Sequence, residues 1–336
     1  MDLADFSYEL PRSAIAQHPA SPRDSARLLE LDGLRDHVFS DLPTLLSPGD
    51  LLVVNRTRVR ASRLRGSRGT GGSAELLLLQ DLGEERSIWS ALVRPAKKLA
   101  VGDSIVAGRI VATVLEHHGE GLATVLVEAD GDVEEAIALS GEMPLPPYIS
   151  ERLSDPGDYQ TVYADETGSA AAPTAGLHFT PELMDRLGSA GIDVASVLLE
   201  VGLDTFRPIT ESRIEDHRIH SERMVVETSA IEAVDRAQSA GGRVVAVGTT
   251  AVRALESAAI NGQLQPYAGP TDLYITPGYS CRVVDGVITN FHLPATTLLV
   301  MIAALFGDAW RDAYTAALDR GYRFLSFGDA MLGWVR

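Results

Sequence analysis

Lysine occurs only twice in the 336 residues, as Lys97 and Lys98, and cysteine only once, as Cys281. A lone thiol excludes an intrachain disulfide and every zinc site built on paired cysteines, so a disulfide-stapled secreted scaffold is not expected. Long apolar runs are missing too. The longest, "LLVMIAALF" from Leu298 to Phe306, is far short of a bilayer span, and no apolar leader opens the chain. A soluble, cytoplasmic protein is the expectation. Positive charge is also scarce: the net charge of −17 argues against a polyanionic partner at long range. The distribution reverses that locally. No acid falls between Asp50 and Glu75, whereas Arg56, Arg58, Arg60, Arg63, Arg65 and Arg68 all do. The stretch reads either as a solvated basic strand or as a site for nucleic acid.

With 45% hydrophobic residues, the chain can bury more than one core. "PGDLLVVNRTRV" opens on a Pro48-Gly49-Asp50 turn and continues as a buried apolar strand. From Ala61 to Pro147 the chain becomes a series of short β-rich runs ("SAELLLLQ", "RSIWSALV", "SIVAGRIVATVL", "GLATVLVEA"), punctuated by glycine turns as in a small barrel. Beyond it, helix and strand patterns alternate. The expectation is an α+β multidomain fold: a layered mixed α/β domain, residues 1–60 and 148–336, with an inserted small β-barrel domain, residues 61–147.

Six stretches could carry chemistry. "SAAAPTAGLHFTPEL" sets small residues and Pro173 ahead of His178, suiting a wall of main chain that a ligand approaches closely. Thr180 reads as an N-cap, Pro181 as the first helical residue, Phe179 as a staple onto Met184, and Gly191 as the stop. "RVVAVGTTAVRALES" reads as strand, glycine turn and helix, with Thr250 as the cap and Arg253 and Glu256 following on one face. "EDHRIHSE" brings His217, His220 and Glu222 together, a set suited to proton transfer or to a metal if His178 or His292 joined it. "TDLYITPGY" and "VVDGVITNFHLPATT" read as a hairpin ending where His292 precedes a helix begun near Thr296. Asp204, in "VGLDTFRPI", reads first as a turn former.

Together with "DFSYELP", "RPAKKL", "MPLPPYI", "YQTVYA" and "YRFLSFGDAML", these segments resemble, in order, the S-adenosylmethionine:tRNA ribosyltransferase-isomerase family of queuosine biosynthesis, from Asp5 to Leu332. The resemblance implies an α/β domain carrying an inserted barrel. It implies S-adenosylmethionine as co-substrate, no metal, and a tRNA with 7-aminomethyl-7-deazaguanine at the wobble position as partner. The ribosyl part would be transferred and rearranged to epoxyqueuosine, with adenine and methionine released. Because the sulfonium acidifies the 5′ carbon, an imidazole or carboxylate can take its proton. The resemblance leaves open which of His178, His217 and His220 handles protons, and which of Asp204, Glu222 and Glu256 holds the cation or ribose. Thr174, Ala175, Gly176, Gly248, Thr249, Thr250, Arg253 and His292 would bind the co-substrate, and Asn55 with the six arginines the tRNA, in a monomer. Two positions depart from the family pattern: Arg56 replaces a second asparagine, and Glu200 replaces a histidine.

Three other classes are separable by cheap observations. A metal-dependent hydrolase would carry stoichiometric metal, a tRNA-binding protein without catalysis would bind without turnover, and a methyltransferase would release S-adenosylhomocysteine.

Overall fold

The computed structural model describes residues 1–83, 87–202, 208–219 and 221–335. It divides into two compact units, one formed by Met1–Arg58, Pro147–Glu166 and Ala172–Arg336, the other by Val59–Pro146 and Thr167–Ala171.

In the first unit a nine-stranded mixed sheet runs, edge to edge, through Tyr267–Thr271, Glu222–Val226, Asp193–Leu199, Leu51–Asn55, Val244–Val247, Gly286–Asn290, Ala330–Trp334, Arg27–Glu30 and Arg35–Val38. The centre is parallel: Leu51–Asn55 pairs in parallel with Asp193–Leu199 and Val244–Val247, and Val244–Val247 with Gly286–Asn290. These strands are apolar on both faces, as a sheet covered on both sides demands. The Pro181–Ser189 helix starts as its sequence specifies, the Thr180 hydroxyl accepting from Leu183 N–H at 3.1 Å, a cap worth about 1 kcal/mol. Thr296 likewise caps the Thr297–Phe306 helix, whose nearly unbroken apolar surface is buried.

Two expectations are corrected. The Gly286–Asn290 run forms no hairpin with Tyr267–Thr271; it is fully buried mid-sheet, while the latter is an edge strand beside Glu222–Val226. Apolar content on both faces drew Gly286–Asn290 inward. The second helix begins at Thr249, one residue before the expected cap Thr250, with Gly248 at the N-cap.

The second unit is a closed six-stranded antiparallel barrel in the order Leu122–Ala129, Ile88–Arg94, Ser73–Asp81, Arg63–Arg68, Ser104–Ala107 and Ile110–Gly119. Closure removes exposed sheet edges. Strict alternation along Ile88–Arg94 turns Trp89, Ala91 and Val93 inward onto Leu64, Leu76, Ile105 and Val125. The fold is thus the mixed α/β architecture with a small barrel that the sequence implies.

Candidate active site

At the carboxyl ends of Val244–Val247 and Gly286–Asn290 the first unit opens a pocket. The carboxyl ends of parallel strands are where open α/β sheets bind ligands. One wall is the small-residue run, Ala172 to Ala175; Ala and Pro side chains leave the main chain near the opening. Gly248, Thr249 and Thr250 form a second wall, Thr289 to Leu293 a third, and Leu325 with Ser326 a fourth. Among the described residues, none in the lining carries a formal charge unless His292 is protonated.

The polar groups are held by neighbours. Thr174 Oγ1 donates to Asn290 Oδ1 at 2.9 Å, and Asn290 Nδ2 donates to the Leu325 carbonyl at 3.1 Å. The Tyr148 and Ser326 hydroxyls lie 2.7 Å apart. His292 has Nε2 3.3 Å from Thr289 Oγ1 and Nδ1 3.4 Å from the Tyr314 hydroxyl. Burial depresses its pKa from 6.5 to about 3, so the ring is neutral at physiological pH. Ala295 and Leu325, next to or within the lining, hold φ of +55° and +70°, conformations non-glycine residues adopt only when their surroundings enforce them.

The Thr249–Ala258 helix starts on a residue without a side chain. Gly248 offers no side-chain cap to the first N–H groups, and Gly248, Thr249 and Thr250 line the pocket. The Thr249 side chain, on a residue 8% exposed, makes no hydrogen bond among the described residues. A helix start without a cap can donate to an acceptor.

The depressed His292 pKa has a testable consequence. The unfolded imidazole takes up a proton below about pH 6.5, which the folded one refuses until about pH 3. Stability linked to this ring is therefore complete above that upper value and falls with decreasing pH through the window, by up to ~1.4 kcal/mol per pH unit. Urea unfolding of wild type and His292→Gln from pH 7 to pH 4 should give a stability difference that moves against wild type as pH falls. A constant difference would mean that the folded ring takes up its proton as readily as the unfolded one.

Six of the expected co-substrate residues thus come together: Thr174, Ala175, Gly248, Thr249, Thr250 and His292. Gly176 and Arg253 do not line the pocket. Gly176 is small because a Cβ there would lie 2.0 Å from the Tyr163 hydroxyl. Arg253 is buried, its Nη1 2.5 Å from Glu222 Oε2 and its Nη2 donating to the Thr271 carbonyl at 3.0 Å. Glu222 in turn accepts from Gly202 N–H at 2.8 Å, so the pair ties helix to strand.

The candidate catalytic groups scatter. His178 lies outside the lining, stacked on Phe39 with ring centroids 4.7 Å apart. Its Nδ1 is 3.0 Å from the Ala175 carbonyl and its Nε2 2.9 Å from the Gly328 carbonyl; burial lowers its pKa, with both carbonyls opposing. It braces the small-residue wall from behind. Glu256 is fully buried and accepts from the N–H groups of Arg282, Val283 and Val284 at 2.9 to 3.1 Å, and from the Tyr279 hydroxyl at 2.9 Å. His217 Nδ1 lies 3.0 Å from Glu211 Oε2, and Glu200 accepts from Arg223 at 2.6 Å. Asp204 and His220 lie outside the described residues. No cluster of metal-ligating side chains occurs among the described residues.

The expected nucleic-acid residues are engaged internally. Asn55 is wholly buried, its amide bridging Leu199 N–H at 3.0 Å and Leu199 C=O at 2.9 Å, and so reaches no partner. Arg56 faces Asp165, Glu166 and Glu227, each at 3.0 Å. Arg60 forks onto Glu134 at 3.1 and 3.2 Å over the Trp89 ring. Arg58 donates to the Ala164 carbonyl, Arg63 to Leu145 at 3.3 Å and Arg68 to Lys98 at 3.2 Å. Arg65 lies 3.4 Å from Glu142 and 3.7 Å from Glu75. The stretch lacks acids in sequence, yet the fold supplies them to Arg56, Arg60 and Arg65.

Sequence reasoning missed Tyr148, Thr289, Asn290, Leu325 and Ser326. They sit in segments with a recognisable pattern, but nothing local marks these side chains as pocket walls.

A family profile described as Queuosine biosynthesis protein matches residues 3–332. S-adenosylmethionine:tRNA ribosyltransferase-isomerase from Desulfitobacterium hafniense is 49% identical over 341 residues, covering 99% of both chains. The protein of that name from Heliobacterium modesticaldum is 48% identical over 344 residues, again 99% of each. The crystal structure of S-adenosylmethionine tRNA ribosyltransferase from Thermotoga maritima superposes with a TM-score of 0.55 at 35% identity, covering 98% of this chain and 99% of that one. With nearly its whole length matched, and a sheet and barrel of the expected kinds, the chain belongs to the queuosine biosynthesis protein family.

Proposed function

We propose that this protein is an S-adenosylmethionine:tRNA ribosyltransferase-isomerase. It transfers the ribosyl part of S-adenosylmethionine to 7-aminomethyl-7-deazaguanine in the tRNA wobble position and isomerises it to give epoxyqueuosine, releasing adenine and methionine. The observation that carries this reading is full-length identity near 49% to proteins bearing that name.

The pocket supports it. We place S-adenosylmethionine there, its methionine carboxylate at the uncapped start of the Thr249–Ala258 helix, where free N–H groups, the Thr249 hydroxyl and the helix dipole favour an anion. The small-residue wall lets the ribose lie against main chain. Neutral His292, with Thr174 and Asn290, offers hydrogen bonds to uncharged polar atoms without repelling the sulfonium. The enzyme acts as a monomer in the cytoplasm; no helix among the described residues is long and apolar enough to cross a membrane.

Incubation with S-adenosylmethionine and precursor tRNA should yield epoxyqueuosine on mass analysis of the digested nucleosides, with adenine and methionine in solution. S-adenosylhomocysteine in their place would reassign the protein as a methyltransferase.

A further inference from the structure

We infer that the Arg94–Lys98 turn of the barrel, steadied by Arg68, is a docking surface for the phosphodiester backbone of the tRNA; this rests on the functional reading above. The chain holds twenty-nine Lys and Arg, and its only two lysines are adjacent, in this turn. Among the barrel's other described arginines, Arg60 is spent on Glu134 and Arg65 on Glu75 and Glu142, while Arg109, exposed and without a side-chain partner, stands apart from the turn in sequence. Arg94, Lys97 and Lys98 differ: all three are exposed, and their side chains have no ion pair or hydrogen bond among the described residues.

The turn is held in place. Ala96–Lys98 forms a short 3-10 turn after Pro95, closed by Lys98 N–H donating to the Pro95 carbonyl at 3.0 Å. Leu99 is buried beneath it, and the Leu99 carbonyl lies 2.9 Å from His117 Nε2. Arg68 Nη1 donates to the Lys98 carbonyl at 3.2 Å, bringing a fourth cation alongside. Among the described residues, Glu75, in register with Arg94, lies 3.7 Å from Arg65, Asp103 accepts from Ala100 N–H at 2.8 Å, and Glu120 pairs with none of these cations.

Three exposed cations along a pinned turn, Arg94, Lys97 and Lys98, fit phosphates spaced along a backbone, and a lysine ammonium is a compact point charge for them. A protein of net charge −17 repels a polyanion over most of its surface, so binding concentrates where positive charge is left unneutralised.

The test is tRNA binding by fluorescence anisotropy between 50 and 200 mM salt, with the wild type, Lys97→Gln/Lys98→Gln, Lys97→Arg/Lys98→Arg and Arg109→Gln. Arg109 is exposed and lies beyond the far end of the Ser104–Ala107 strand. The glutamine pair should weaken binding several-fold at low salt and flatten the log–log salt slope by roughly 0.7 to 0.9 for each phosphate no longer neutralised, with S-adenosylmethionine affinity unchanged. The arginine pair should keep the wild-type slope, and so should Arg109→Gln. A glutamine pair with wild-type affinity and slope, or an equal loss per charge in Arg109→Gln, overturns the docking surface. Wild-type protein that binds no tRNA at low salt overturns the functional reading itself.

Discussion

Gly248→Ala is expected to weaken S-adenosylmethionine binding by roughly 10- to 100-fold in a protein that still folds. Gly248 sits at φ +87° and ψ 156°, a conformation open to glycine and costing other residues on the order of 1–3 kcal/mol. The added methyl carbon itself fits, 3.6 Å from Ala175 Cβ and from Thr250 Oγ1. Steric blockade is therefore not the cause. The strain is relieved by moving the start of the Thr249–Ala258 helix, and with it the N–H groups proposed to hold the carboxylate; each ~1.4 kcal/mol lost is a factor of ten in affinity. Thr249→Val leaves the backbone in place and removes one hydroxyl, so its loss should be smaller, about 0.5–1.5 kcal/mol. Calorimetric titration with S-adenosylmethionine, with melting curves to check folding, measures both. A folded Gly248→Ala protein with wild-type affinity would remove the helix start from the site.

The pocket was legible where chemistry is written in short stretches. Small residues before a histidine, and a glycine turn before a helix, are local signals of main chain made accessible, and both became walls. Their partners across the cavity were not legible. Asn290, Thr289 and Ser326 are polar residues inside apolar segments, and only sheet order decides that Gly286–Asn290 ends beside Gly248. His178 shows the converse: placed correctly just before a helix start, it does not line the pocket, and its two ring nitrogens lie against the Ala175 and Gly328 carbonyls, to one of which the neutral ring donates.

The barrel was legible in its alternation but not in its charge. A run of arginines without sequence-adjacent acids reads as positive surface, yet Glu134 and Glu142 arrive from distant segments to meet Arg60 and Arg65. Charge patterning along one stretch cannot see such pairing, because strand neighbours are set by topology. The few cations that escape it are found by asking which side chains lack a partner, a question the fold alone answers.

Glu256 marks the sharpest difference between a chemically attractive residue and its place in the fold, and Glu256→Ala is expected to cost roughly 3–5 kcal/mol of stability. Its carboxylate receives three successive backbone N–H groups, from Arg282, Val283 and Val284, together with the Tyr279 hydroxyl. Removing it leaves buried donors without acceptors, each costing about 1–3 kcal/mol, with partial recovery where water can enter. Glu256→Gln keeps one oxygen for the N–H groups and turns an NH₂ toward the Tyr279 hydroxyl, so its loss should be less than half as large. The residue does not line the pocket, so at temperatures where the Ala variant is still folded its KM for S-adenosylmethionine should match wild type. Thermal melting and steady-state kinetics below the transition measure the two quantities. A Glu256→Ala protein that melts like wild type but has lost turnover would put the carboxylate back among the reacting groups, and the Tyr279–Val284 segment would then need another anchor.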